Sequence, residues 1–134
     1  MNPVLKYRMP KPLTEAEPIV REALKKAGFG ILTEVDVTAT LREKLGVETR
    51  PYKILGACNP GIAHRALEAD PTVGAFLPCG LAMYEEPNGE TIAALQNPGL
   101  ISQSFEAAGL AAPANEALEL LDAALRTVAQ AVLA

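Results

Sequence analysis

The hydrophobic and polar positions of this chain change period several times, and the changes divide it into elements. Ala16, Ile19, Val20, Ala23, Leu24 and Ala27 recur at 3.6-residue spacing opposite Arg21, Glu22 and Lys25, which predicts a helix over Thr14–Ala27. Thr14-Glu15-Ala16-Glu17 has the spacing of a capping box, in which the Thr14 hydroxyl accepts the Glu17 N–H and the Glu17 carboxylate reaches back. Pro18 falls in the first turn, and Gly28 supplies a left-handed stop. From Phe29 the period becomes two: Phe29, Ile31, Thr33, Val35 and Val37 alternate with Leu32, Glu34 and Asp36, the pattern of a strand. Thr38–Leu45 is a short helix ended by Gly46, and Tyr52–Cys58 is a second long strand. Asn59-Pro60 is an N-cap followed by proline at the first helical position, so a helix runs to about Ala69 and closes at Asp70-Pro71.

The second half follows the same logic. Val73–Leu77 and Leu81–Glu85 read as strand, interrupted at Pro78-Cys79-Gly80, and Glu86-Pro87-Asn88-Gly89 has hairpin chemistry leading to a return strand over Glu90–Leu95. In Gln96–Ala112 only Leu100, Ile101 and Phe105 suggest a helical turn packed on the sheet. Pro113 opens a last helix with an apolar stripe of Leu118, Leu121, Leu125, Val128 and Val132, flanked by Ala117, Ala124 and Ala131, while Asn115, Glu119, Asp122 and Arg126 face water. With a strand at Leu5–Met9 the order is β-α-β-α-β-α-β-β-α. This predicts a two-layer α+β domain with a mostly antiparallel sheet; a parallel α/β sheet is second, because the short second helix barely reaches for a crossover. The pattern has no internal repeat or linker, so residues 1–134 form a single domain.

Composition removes whole classes of function. With 134 residues and 49% hydrophobic content the chain can build a core without staples, and its composition excludes disorder. No apolar run approaches the ~20 residues of a membrane span, and no secretory signal pattern follows Met1, so a cytoplasmic protein with no membrane partner is expected. A net charge of −4 argues against nucleic acid as a partner. The charge is uneven: residues 1–56 carry 10 basic and 7 acidic groups, residues 57–134 carry 2 and 9. Such asymmetry could steer a partner, though the plainer reading is two differently solvated faces. Alanine is the surplus residue, with 23 copies, while Trp is absent.

Candidate chemistry centres on two cysteines. Cys58 ends a strand two residues before a helix start, where unpaired N–H groups favour a thiolate, and Cys79 lies in a bend on a strand that could neighbour it. A reactive thiol pair competes with the commoner fate of cysteine as a small buried apolar residue. Cys58, His64 and Cys79 lack chelating spacing, and His64 projects with Arg65 and Glu68 to the surface, so no metal site is expected. Glu34 and Asp36 share a face like a carboxylate pair, which without partners reads as the solvent side of a sheet edge or a helix-capping acid. Gly28-Phe29-Gly30 leads into a strand, not the helix a phosphate cradle needs. No complete catalytic constellation emerges, and no cofactor is indicated.

Three segments carry a resemblance: Gly28-Phe29-Gly30-Ile31-Leu32-Thr33-Glu34-Val35-Asp36-Val37-Thr38-Ala39-Thr40-Leu41; Pro51-Tyr52-Lys53-Ile54-Leu55-Gly56-Ala57-Cys58-Asn59-Pro60 with Ala63-His64-Arg65-Ala66-Leu67; and Leu77-Pro78-Cys79-Gly80. In this order they resemble the domain of unknown function 302 family of small prokaryotic proteins, over about Leu13–Leu95. The resemblance implies an α+β domain of the TATA-binding-protein-like β-α-β(4)-α arrangement, often dimeric, with no established activity and sometimes accompanying sulfur-metabolism proteins. It also implies a functional surface around Glu34, Asp36, Cys58, Asn59 and Cys79. The chain departs from the family at Gly80, where Asn is usual, and at Gln96-Asn97-Pro98-Gly99, where an Asp-Pro segment is usual. The expected function is therefore binding of a small molecule or protein partner as a homodimer, with thiol redox or sulfur transfer through Cys58 and Cys79 as the alternative and metal or haem binding as the next.

Overall fold

The computed structural model describes residues 2–133. Among them, six strands, five α-helices and one 3-10 helix follow in chain order: β1 (Val4–Met9), α1 (Leu13–Lys26), β2 (Gly30–Asp36), α2 (Val37–Leu45), β3 (Tyr52–Cys58), α3 (Pro60–Ala69), the 3-10 helix (Pro71–Phe76), β4 (Cys79–Glu85), β5 (Thr91–Gln96), α4 (Gly99–Ser104), α5 (Ala111–Arg126) and β6 (Ala131–Leu133). The strands form one sheet in the order β2-β3-β4-β5-β1-β6, with every neighbouring pair antiparallel. This is the α+β architecture that the alternating periods predict.

Side chains alternate across a strand, so one residue in two faces the helices. Leu55 and Ala57 on β3, Leu81 and Met83 on β4, Ala93 and Leu95 on β5, and Tyr7 and Met9 on β1 supply that face. They meet Ala16, Val20 and Leu24 of α1 and Ala117, Leu121, Ala124 and Leu125 of α5 in one buried core. A smaller cluster of Ala66, Val73, Ile101, Leu110 and Ala114 packs separately among α3, the 3-10 helix, α4 and α5. Part of the alanine surplus is interior: Ala114, Ala117 and Ala124 are buried along α5, where small side chains let the helix approach closely.

Several local expectations are corrected, each by a contact distant in sequence. No side chain of α1 caps its own start; Pro12 takes the cap position and the Leu13 N–H donates to Glu85 of β4 at 2.7 Å. Thr14 and Glu17 are therefore helical residues, and Pro18 lies beyond the first turn. Residues 73–77 are not strand. Asp70 accepts bonds from both the Thr72 N–H and hydroxyl (2.9 and 2.6 Å), which starts the 3-10 helix, and Val73 is buried in the smaller cluster. Strand β4 takes in Cys79 and Gly80, which pair with Ala57 and Gly56. The turn expected near Leu100 is α4, packed on α5 and the smaller cluster instead of on the sheet. The last helix ends at Arg126, and Val132 belongs to β6, because β1 offers an unpaired edge that residues 131–133 complete. Asp122, expected to face water, accepts a 2.6 Å bond from the buried Tyr7 hydroxyl.

Strand β2 shows the clearest departure from simple alternation. Its register shifts between Ile31 and Thr33, leaving Leu32 as a bulge at 68% exposure. The extra residue reverses which side later side chains take. Ile31 sits opposite Ala57 and Glu34 opposite Leu55, on the helix side, while Thr33 and Val35 turn to the other face. Gly56 fits here for lack of a side chain: an added Cβ would lie 2.1 Å from the Thr33 hydroxyl and 2.5 Å from the Pro78 ring.

Candidate functional site

Local chemistry brings β3 to an end and starts α3 at the same point. Asn59 accepts the Ile62 N–H at 3.1 Å, and Pro60 occupies the first helical position. The Asn59 amide lies over Gly28, whose φ of +91° ends α1; a Cβ there would come within 3.0 Å of the amide nitrogen. Because Ala57 pairs with Cys79, the ends of β3 and β4 bring Cys58, Asn59 and Cys79 together.

These three residues line a pocket of about 30 Å³. Its walls come from both packed clusters: Phe29 and Ile62 from the main core, Ala66, Ile101 and Ala114 from the smaller one. The pocket is therefore a seam between two bodies of packing. Its only polar side chains are the two thiols and the Asn59 amide. Its volume is about one water's share of liquid, and well below the ~150 Å³ of a cavity that takes benzene.

Burial decides the state of the thiols. Cys79 is 7% exposed and its pKa is pushed up to about 11, first by desolvation and then by repulsion from Cys58. Burial also raises the half-buried Cys58 thiol. At neutral pH both are protonated. The helix N-terminus beside Cys58 does not overcome the loss of solvent.

Glu34 and Asp36 lie elsewhere. Glu34 receives Lys53 at 2.8 Å and Arg21 at 3.2 Å, while Lys53 also reaches Glu17 at 2.9 Å. The hydrogen bond and charge of Lys53 hold the Glu34 carboxyl below its usual range. Asp36 caps α2 by accepting the Ala39 N–H at 2.9 Å, the role of a capping acid. It borders an open groove of about 300 Å³ between α1, α2 and the sheet end, with Arg42 and Lys53 as its cations. The five residues expected to share a surface are thus split between this groove side and the seam pocket. His64 is on the surface, its side chain 73% exposed and 3.0 Å from Glu68. Among the described residues no group of three or more His, Cys, Asp or Glu could hold a metal ion.

The remaining walls, from Phe29, from α3 and from the α4–α5 region, escaped the sequence because local pattern does not say which elements pack together. Asn97, in the stretch where the chain departs from the family pattern, is buried, accepts the Gly99 N–H at 2.9 Å and donates to the Asn2 carbonyl, which sets the start of α4.

No helix among the described residues is long and apolar enough to cross a membrane. A family model for "Domain of unknown function DUF302" matches residues 5–128. The chain is also similar to a crystal structure of an uncharacterized conserved protein DUF302 from Bacillus stearothermophilus, at 31% identity and a TM-score of 0.87, covering 96% of this chain and 99% of that one. No curated protein matches it significantly. The matched span and the shared architecture together make this chain a member of the DUF302 family.

Proposed function

We propose that the protein is a binding module, taking a small apolar molecule, or the apolar tip of a larger one, in the seam pocket, and that it works as a homodimer. The observation that supports this reading is the pocket's position between two separately packed clusters. A ligand there meets a boundary between two packed bodies, not the interior of either, and buried apolar surface with a few polar atoms is the usual make-up of a small-molecule site. Amide NMR under rising xenon pressure, an apolar probe smaller than benzene, tests it. Saturable shifts confined to Ile62, Ala66, Ile101 and Ala114, abolished in a pocket-filling Ala114→Leu variant, are expected. Shifts absent, or scattered over the surface, overturn the reading.

The thiols support a second reading, redox or sulfur transfer, because both line the same pocket. Their raised pKa values weigh against a resting nucleophile. Iodoacetamide rates against pH separate the two: a titration below the ordinary ~8.5 supports thiol chemistry, and one above it removes it.

A further inference from the structure

We propose that the face of the sheet opposite α1 and α5 is the surface through which two copies of this chain pair, an inference that rests on the homodimer reading above and names its interface. One cross-strand row runs the full width of that face: Val35, Ile54, Ala82, Ala94, Lys6 and Leu133, one residue from each strand in spatial order. It is apolar except for Lys6. Val35 is 46% exposed and Ile54 41%, and none of the six belongs to either core cluster. Tyr52 and Tyr84 stack beside the row at 5.4 Å and stiffen it.

The occupant is a second copy on three grounds. The first is area: five inter-strand spacings of ~4.8 Å and six residues of ~3.3 Å give a face of roughly 480 Å², so two copies bury about 1,000 Å², the lower bound of a stable interface. The second is that the edges are closed to pairing, one by the Leu32 bulge and the other by the shortness of β6, three residues long. That leaves the face. The third is self-complementarity. Two twisted sheets pack about 10 Å apart with strands nearly aligned. A two-fold axis along the strands between β4 and β5 then sets Ala82 over Ala94 at the centre, where small side chains allow the approach, and Val35 over Leu133 at the margins. Lys6 comes over Ile54, its methylenes on the isoleucine. The other axis in the plane, across the strands, would set Lys6 against Lys6, and like charge excludes it.

Sedimentation equilibrium of the full chain, with variants Ile54→Arg, Val35→Arg and a control Leu45→Arg on α2, tests the interface; all three positions are exposed, and circular dichroism checks that each variant folds. The expected result is a wild-type dimer, dissociation constants raised about 100-fold in Ile54→Arg and measurably in Val35→Arg, and no change in Leu45→Arg. A wild-type dimer that both face variants leave intact overturns this surface but keeps the homodimer. A wild-type chain monomeric to millimolar concentration overturns both.

Discussion

Neighbouring residues on the same strands lead opposite lives on the two faces of the sheet. On the covered face Leu55, Leu81 and Leu95 form a cross-strand row with no exposure to solvent. One position along, on the open face, Ile54, Ala82 and Ala94 form a parallel row that belongs to neither buried cluster. Backbone hydrogen bonding is the same for both. The contrast separates two uses of apolar surface: the first row is large side chains meeting helices, and holds the fold; the second is small at its centre and flat, and leaves the fold indifferent to its identity. A contiguous apolar row left at the surface is what a surface that meets something else presents.

The largest effect that could break this division is a matched pair of truncations. Leu55→Ala removes a fully buried side chain and leaves a void, and about 3 kcal/mol of destabilisation is expected. Ile54→Ala, one residue earlier and 41% exposed, should cost under about 1 kcal/mol in dilute protein. Urea unfolding measures both. Equal costs would mean that the open face is part of the core. A cost for Ile54→Ala that grows with protein concentration would tie that residue to pairing.

A second effect sharpens the pocket end of the covered face. Cys79 has a pKa of about 11 in the folded chain against 9.0 when unperturbed. The unfolded chain therefore loses its proton first as pH rises. Stability from this group is complete below about pH 9 and is lost progressively up to about pH 11, by about 3 kcal/mol in all. Stability measured between pH 8 and pH 10.5 should fall more steeply in the wild type than in Cys79→Ala. Parallel curves would mean that the Cys79 thiol is not desolvated, and the seam would then be an open cleft.

How much of this the sequence declares depends on how far each determinant lies from its effect. Asn59-Pro60 announces α3 because cap and helix are adjacent, and Asp36 announces its own capping role for the same reason. The start of α1 is illegible, since its cap, Glu85, is 72 residues away. Strand β6 is hidden because Val132 continues the helical spacing of α5, and only the vacant edge of β1 turns residues 131–133 into a strand. The 3-10 helix hides behind Val73 and Phe76, residue types that favour strands, until the Asp70 bonds to Thr72 are seen. At the site, Cys58, Asn59 and Cys79 follow from two strand ends. Glu34 is separated from them by a bulge that alternation alone cannot foresee. The walls from α4 and α5 depend on how two clusters pack, which no short window contains.

The smallest effect tests the comparison at its margin, on β1, where the two faces differ by one residue and a hydrogen bond. Tyr7 on the covered face is 1% exposed and donates at 2.6 Å to Asp122 of α5, and Lys6 on the open face has no such tie. Burial first, then the bond to Asp122, raises the Tyr7 pKa far above the alkaline range in which tyrosine normally ionises. Tyr7→Phe keeps the packing and removes the hydroxyl, while Asp122 keeps Arg126 at 2.8 Å, so a cost of about 1 kcal/mol is expected. Lys6→Ala should change stability by less than about 0.5 kcal/mol. Thermal unfolding at one concentration resolves the two. If Tyr7→Phe is as silent as Lys6→Ala, the β1–α5 bond does not help to hold the last helix, and apolar contact alone seats α5 on the sheet.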